Sequence, residues 1–109
     1  MGDRGQVKIT QWNNQSVYLY THWGASELRE LVKEVLSRRV RWGDGPYLSR
    51  MIFSQMIKDD VGGELGYGIA AGDCDHYLSV NLHIENQTVE IVEYEETVFT
   101  GSFNDFLES

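Results

Sequence analysis

The segment VYLYTHWG, Val17 to Gly24, gathers two tyrosines, a histidine and a tryptophan into eight residues. Tyr18, Tyr20 and His22 alternate with Val17, Leu19, Thr21 and Trp23, the two-residue period of a strand whose faces differ in character. Such a strand shows Tyr18, Tyr20 and His22 to solvent or to a partner, and tyrosine and tryptophan offer large, rigid contact area with a polar tip. The same side chains could instead pack across neighbouring strands, at about 0.2 to 1 kcal/mol per pair. A second alternating run, YLSVNLHIE, carries Tyr77, Ser79, Asn81 and His83 on its outward phase. If one sheet holds both runs, His22 and His83 share a face, where two imidazoles beside tyrosines could act as acid and base. The candidate binding residues are therefore Tyr18, Tyr20, His22, Trp23, Tyr77, Asn81 and His83, and no residue is assigned a catalytic role.

Other groupings are poorer in chemistry. No cysteine pair, H-E-x-x-H or carboxylate–histidine set has the spacing of a metal site, so neither metal nor cofactor is expected. GDCDH, Gly72 to His76, puts a thiol between two aspartates, which raise its pKa rather than activate it, and reads as a hairpin turn. Asp73, Asp75 and His76 there would hold a divalent cation only weakly. GGELGYG resembles a phosphate loop in glycine content alone, for it has no lysine and carries Glu64 where an anion would sit. No G-x-S-x-G nucleophile motif is present. The basic run SRRVRW, Ser37 to Trp42, reads as the cationic end of a helix or as an intramolecular match for acidic residues.

The 109 residues suit a single domain spanning 1–109, and 41% hydrophobic with 24% charged residues is the composition of a folded chain. The first 58 residues hold all nine basic residues and five acidic ones, for +4, whereas the remainder holds twelve acidic residues and no Lys or Arg, for −12. The second half therefore repels nucleic acid and other polyanions and attracts a basic protein surface, and with no run of 18 apolar residues no membrane-spanning helix is expected. Charges within the first four residues, no apolar run behind them and a lone cysteine predict a cytoplasmic protein.

Val7 and Ile9 in QVKITQ alternate with polar residues and, with the run from Val17, predict a hairpin. Leu28, Leu31, Val32, Val35 and Leu36 then recur at helical spacing, with Ser26 as the cap, and Leu48, Met51, Ile52, Gln55 and Met56 mark a second helix with Pro46 in its first turn and Asp44 or Gly45 as its cap. YGIAAG reads as a weak strand and YLSVNLHIE as a secure one. In TVEIVEYEE the inward phase slips between Ile91 and Val92, which calls for a β-bulge. Ser102 caps a short final helix with Phe103, Phe106 and Leu107. The order β-β-α-α-β-β-β-α predicts an α+β fold, an antiparallel sheet of about five strands with two helices packed on one face.

The opening MGDRG, together with VYLYTHWG and the two-helix segment behind it, resembles a group of small uncharacterised prokaryotic and phage-associated proteins over about the first 60 residues. The resemblance implies a phage or mobile-element connection and carries no activity. The residues themselves point to a non-enzymatic protein-binding module, with a protein partner, or a second copy in a homodimer, on the aromatic and polar sheet face. Two other readings stand beside it. Glu90, Glu93, Glu95, Glu96, Asp105 and Glu108 could imitate DNA and inhibit a host nucleic-acid-binding protein, or His22 and His83 could serve a small hydrolase or transferase.

Overall fold

The computed structural model describes residues 3–63 and 66–109; Glu64 and the Met1–Gly2 pair of the opening motif lie outside them. The elements are β1 (Gly5–Thr10), β2 (Ser16–Thr21), α1 (Ala25–Ser37), α2 (Gly45–Met56), β3 (Tyr67–Ala70), β4 (Leu78–His83), β5 (Thr88–Glu93), β6 (Glu96–Ser102) and α3 (Phe103–Leu107). One six-stranded sheet runs in the order β3-β2-β1-β4-β5-β6. The α+β class and the helices on one face are as the sequence predicts.

The sheet differs from the expectation in two ways. β1 and β4 pair in parallel, so the sheet is mixed and not antiparallel. The sixth strand, β6, follows a turn in which Tyr94 and Glu95 both have left-handed φ values, 51° and 66°. Such a turn ordinarily announces itself by Asn-Gly or Asp-Gly. With neither present, TVEIVEYEE reads as one strand and the strand behind it goes unread. A bulge lies at the expected level, as a register shift between Ile91 and Val92 against β6, but its extra residue is Val98 of β6, and Val92 keeps the outward phase opposite Ser79.

The parallel pair also changes the meaning of GDCDH. β3 and β4 run in the same direction on opposite sides of the β1–β2 pair, so residues 71–77 are not a hairpin turn but a crossover. Three strand spacings sideways and three residues back along the sheet make a straight path of about 17 Å. Eight residue steps reach at most about 28 Å, enough to cross but too few to add a long helix. Bonds from Gln6 and Arg4 to residues 73–75 hold the link close against the sheet.

The inward phases, Val7, Ile9, Leu19, Val80, Leu82, Val89 and Ile91, are buried beneath Leu28, Val32, Val35 and Leu36 of α1, Leu48, Ile52 and Met56 of α2, and Phe103 and Phe106 of α3. Each such side chain removed from water stabilises the fold by about 1.5 to 3 kcal/mol. Asp44 caps α2 by accepting from the Tyr47 amide, with Pro46 inside the first turn. Ser102 and Asp105 form a reciprocal capping box on α3. The arginine-rich stretch is used locally: Arg38 approaches Glu34 and Gln55, Arg39 donates to Asn104 of α3, and Arg41 pairs with Asp44. Its partners are thus in the first half or in α3, not in the acidic strands.

Ser26 does not cap α1. The cap comes from Asp3, whose Oδ2 accepts from the Ser26 amide at 2.9 Å and the Ser26 hydroxyl at 2.7 Å, while its carbonyl accepts from the Ala25 amide at 3.0 Å. Asp3 and Arg4 do not pair with each other. Arg4 reaches Asp75 on the crossover at 2.6 Å. Gly5 completes the set, because a Cβ there would stand 2.7 Å from the Cβ of Ala25. The close approach of α1 to the sheet therefore requires a residue without a side chain at this point.

Gly5→Ala is expected to destabilise the protein by about 1 to 3 kcal/mol, read by urea unfolding, because Ala25 belongs to a helix that must move as a whole. Hydrogen bonds from Ser26 and Tyr77 hold the Asp3 carboxyl below its ordinary pKa of 3.8. A depressed folded-state pKa gives stability that is complete above about pH 4 and lost as pH falls through the folded value. Asp3→Asn should be less stable than the parent at pH 7, and the gap should close in acid.

Candidate functional site

The face of the sheet turned away from the helices carries the outward phases of the strands, and the crossover divides it. Gln6 of β1 is the anchor. It is only 1% exposed although it lies on the outward phase, because residues 73 and 74 cover it. Its Nε2 donates to Asp73 Oδ1 at 2.7 Å and to Ser79 Oγ at 3.0 Å, and its Oε1 accepts from the Cys74 amide at 2.9 Å. One side chain thus satisfies both its own polar ends and two groups of the crossover, as burial demands. From Ser79 the chain of bonds continues to Asn81 Oδ1, from Asn81 Nδ2 to Glu90 at 3.3 Å, and to Glu90 again from the Thr97 hydroxyl at 3.5 Å. The network joins β1, β4, β5 and β6. Among the described residues no buried side-chain polar atom is left without a partner.

The rest of the crossover is fastened at its ends. Arg4 holds Asp75, and the Tyr77 amide donates to the Arg4 carbonyl. His76 Nδ1 faces the Cys74 carbonyl at 2.5 Å, which favours the tautomer with the proton on Nδ1. The Tyr77 hydroxyl donates to Asp3 Oδ1 at 2.7 Å, and this bond to a carboxylate, helped by burial, pushes the Tyr77 pKa up to about 12. Burial and the neighbouring Asp73 raise the Cys74 thiol, so it is not an activated nucleophile.

The candidate residues fall into separate groups around this division. Tyr20 and His22 meet edge to face at 5.4 Å, and the His22 ring is 6.2 Å from Trp23. This corner lies over two glycines. A Cβ at Gly68 would collide with the Tyr20 ring, and one at Gly66 with the Trp23 indole. Two of the four glycines of GGELGYG, Gly66 and Gly68, are therefore seats for aromatic rings, and Trp23, 55% exposed, has left the inward phase of β2 to reach its seat. Tyr18 lies higher on the face, opposite Lys8, whose ammonium is 5.8 Å from the ring centroid. Asn81 belongs to the Gln6 network. Tyr77 is engaged by Asp3 and stacks on Tyr94 at 5.0 Å, apart from the Tyr18 and Tyr20 side chains.

The register keeps the two histidines apart. His83 stands beside Thr10, which faces Ser16 at the start of β2, whereas His22 follows the end of that strand. Six residues of strand separate those levels, about 20 Å. They cannot share a proton or a metal. Asp75 is held by Arg4, Asp73 by Gln6, and His76 Nδ1 by the Cys74 carbonyl with Asp73 3.9 Å away, and no group of three or more His, Cys, Asp or Glu among the described residues is placed to hold a metal ion. No helix among them is long and apolar enough to cross a membrane.

Sequence reasoning missed Gln6, Arg4 and Asp73 as organising residues. Their contacts span 67 to 73 residues of chain, and only a register could have brought them together. Comparisons with models of protein families, with curated proteins and with solved structures give no match.

Cys74 reports on the crossover. Removing Gln6 frees two groups that burial had required it to bond, at about 1 to 3 kcal/mol, or roughly tenfold or more in the local opening equilibrium. Gln6→Ala should therefore raise the rate at which Cys74 reacts with a small disulfide reagent by about tenfold at fixed pH; an unchanged rate would show that Gln6 does not hold the crossover.

Proposed function

We propose that the chain is a non-enzymatic protein-binding module whose contact surface is the open sheet face above the crossover, with Lys8, Tyr18, Asn81 and His83, extended by the Tyr20, His22 and Trp23 corner. One observation carries the reading: the three helices pack on the other side of the sheet, and residues 71–77 cover the open face only at its lower end. What remains is an array of half-buried aromatic and polar side chains, already oriented by cross-strand contacts. Little conformational entropy is lost when such a surface binds. Aromatic anchors within a polar surround are also what protein interfaces use. A second copy of the chain is one partner that could use this face.

The acidic-inhibitor reading has a narrower support. Asp73, Asp75, Glu93, Glu95 and Glu96 belong to the crossover and to the β5–β6 turn, which meet at one end of the sheet. Asp105 and Glu108, however, are on α3, and Glu90 is bonded into the network. The charge therefore favours a basic partner at that end and not a continuous imitation of a DNA backbone.

Capture from host lysate with the intact protein and with a Tyr18→Ala, Tyr20→Ala, His22→Ala variant checks the reading. A partner retained by the first and lost by the second, with both melting as folded proteins, is expected. Retention by both would move the interface elsewhere. Sedimentation over a range of concentrations tests the dimer in the same pair.

A further inference from the structure

We propose that the pocket between the crossover and the β5–β6 turn receives the guanidinium of an arginine side chain from a basic protein partner, an inference that rests on the binding reading above. The pocket has a volume of about 280 Å³ and is lined by His76, Tyr77, Val92, Tyr94 and Glu95. It is large enough for one side chain and too small for a folded element.

Its chemistry is selective. Tyr94 is 71% exposed and backs onto Tyr77 in a stacked pair, so it presents an aromatic face held in place from behind. Glu95 supplies a carboxylate in the same lining. A planar cation that stacks on an aromatic ring and bonds a carboxylate in bidentate fashion is a guanidinium; an ammonium has neither the planar face nor the paired donors and binds such a site less well. The chain does not fill the site itself. No Lys or Arg follows residue 58, and the nearby Arg4 is engaged by Asp75. Glu93 and Glu96 at the base of the turn add attraction for a cation.

Two features of the backbone point to the same place. Tyr94 and Glu95 hold left-handed φ values that glycine or asparagine would adopt at less strain. Large side chains kept at such positions are found where they serve contact rather than folding. The register shift at Ile91/Val92 lies directly beside them, with its extra residue, Val98, on β6, while Val92, opposite Ser79 on the outward phase of β5, enters the lining.

The test uses the whole protein and N-acetyl-arginine amide as probe, followed by the amide resonances of Val92, Tyr94 and Glu95. These should shift with a dissociation constant of about a millimolar, as one side chain alone allows. N-acetyl-lysine amide should bind about fivefold more weakly or less, as should the arginine probe to Glu95→Gln. The charge-matched Glu85→Gln, at the opposite end of the sheet, should behave as the parent. The double variant Tyr94→Asn, Glu95→Gly gives the turn its favoured residues; it should melt at a higher temperature than the parent and lose the shifts, which separates loss of the site from loss of the fold. Absence of shifts in the parent, equal binding of the two probes, or shifts that survive in the double variant would overturn the proposal. Because the probe needs no partner, failure of the open-face reading leaves these results unchanged, and failure here leaves capture through Tyr18 and Tyr20 unchanged.

Discussion

β3 and β4 run in the same direction on opposite sides of the β1–β2 pair, and only seven residues, 71–77, are available to cross between them. That constraint explains the first turn of the chain. Asp3, Arg4, Gly5 and Gln6 are consecutive, and each makes one contact that the topology requires: a cap for α1, an ion pair to the crossover, a close approach to Ala25, and the bonds that hold Asp73 and Cys74 on the sheet. Because side chains alternate along a strand, Asp3 and Gly5 serve the helix side while Arg4 and Gln6 serve the other. Four residues thus fasten both layers to the central strand. The Arg4–Asp75 pair alone would contribute little, since both side chains are solvent-exposed. The buried amide of Gln6 contributes more, because its loss would leave polar groups unsatisfied away from water.

The same constraint shapes the surface. A crossover drawn tight over the lower half of the face leaves the upper half bare, separates the Tyr20 corner from the Tyr77–Tyr94 pair, and creates the pocket at the β5–β6 turn. Charge follows the division. The arginines of the α1–α2 connection are used at the other end of α1, while the crossover and the β5–β6 turn bring five carboxylates to the lower end of the sheet. Arg4–Asp75 is the ion pair among the described residues that links the basic first half to the acidic second half. Most of the negative charge of the second half is therefore free to act outward.

How far the sequence revealed this depends on the range of the interaction. Periodicity within ten residues located the hairpin, both long helices and the inward phase of β4, because burial of one face imposes itself on every second or every third and fourth residue. Caps contained within one turn, at Asp44 and Ser102, were legible for the same reason. Ser26 misled because its neighbour Asp3, 23 residues earlier, offers a stronger acceptor to the same helix end. β6 was hidden by a turn that lacks the residues its backbone prefers. The parallel pairing was invisible, since periodicity gives the face of a strand and not the identity or direction of its neighbour. For the candidate site, the outward phase of β2 was readable, but the distance between His22 and His83 depended on register and was not.

Native-state hydrogen exchange of the Cys74 and Tyr77 amides tests the central claim, that the crossover is a fixed part of the sheet and not a loose loop. Both amides have partners on β1 or just before it, Gln6 Oε1 and the Arg4 carbonyl. Protection close to that of the central amides of β1 and β4, lost only with global unfolding, is expected. Exchange as fast as that of the exposed β1–β2 turn at Asn13 and Asn14 would contradict it, and with it the division of the open face on which the binding surface and the pocket both depend.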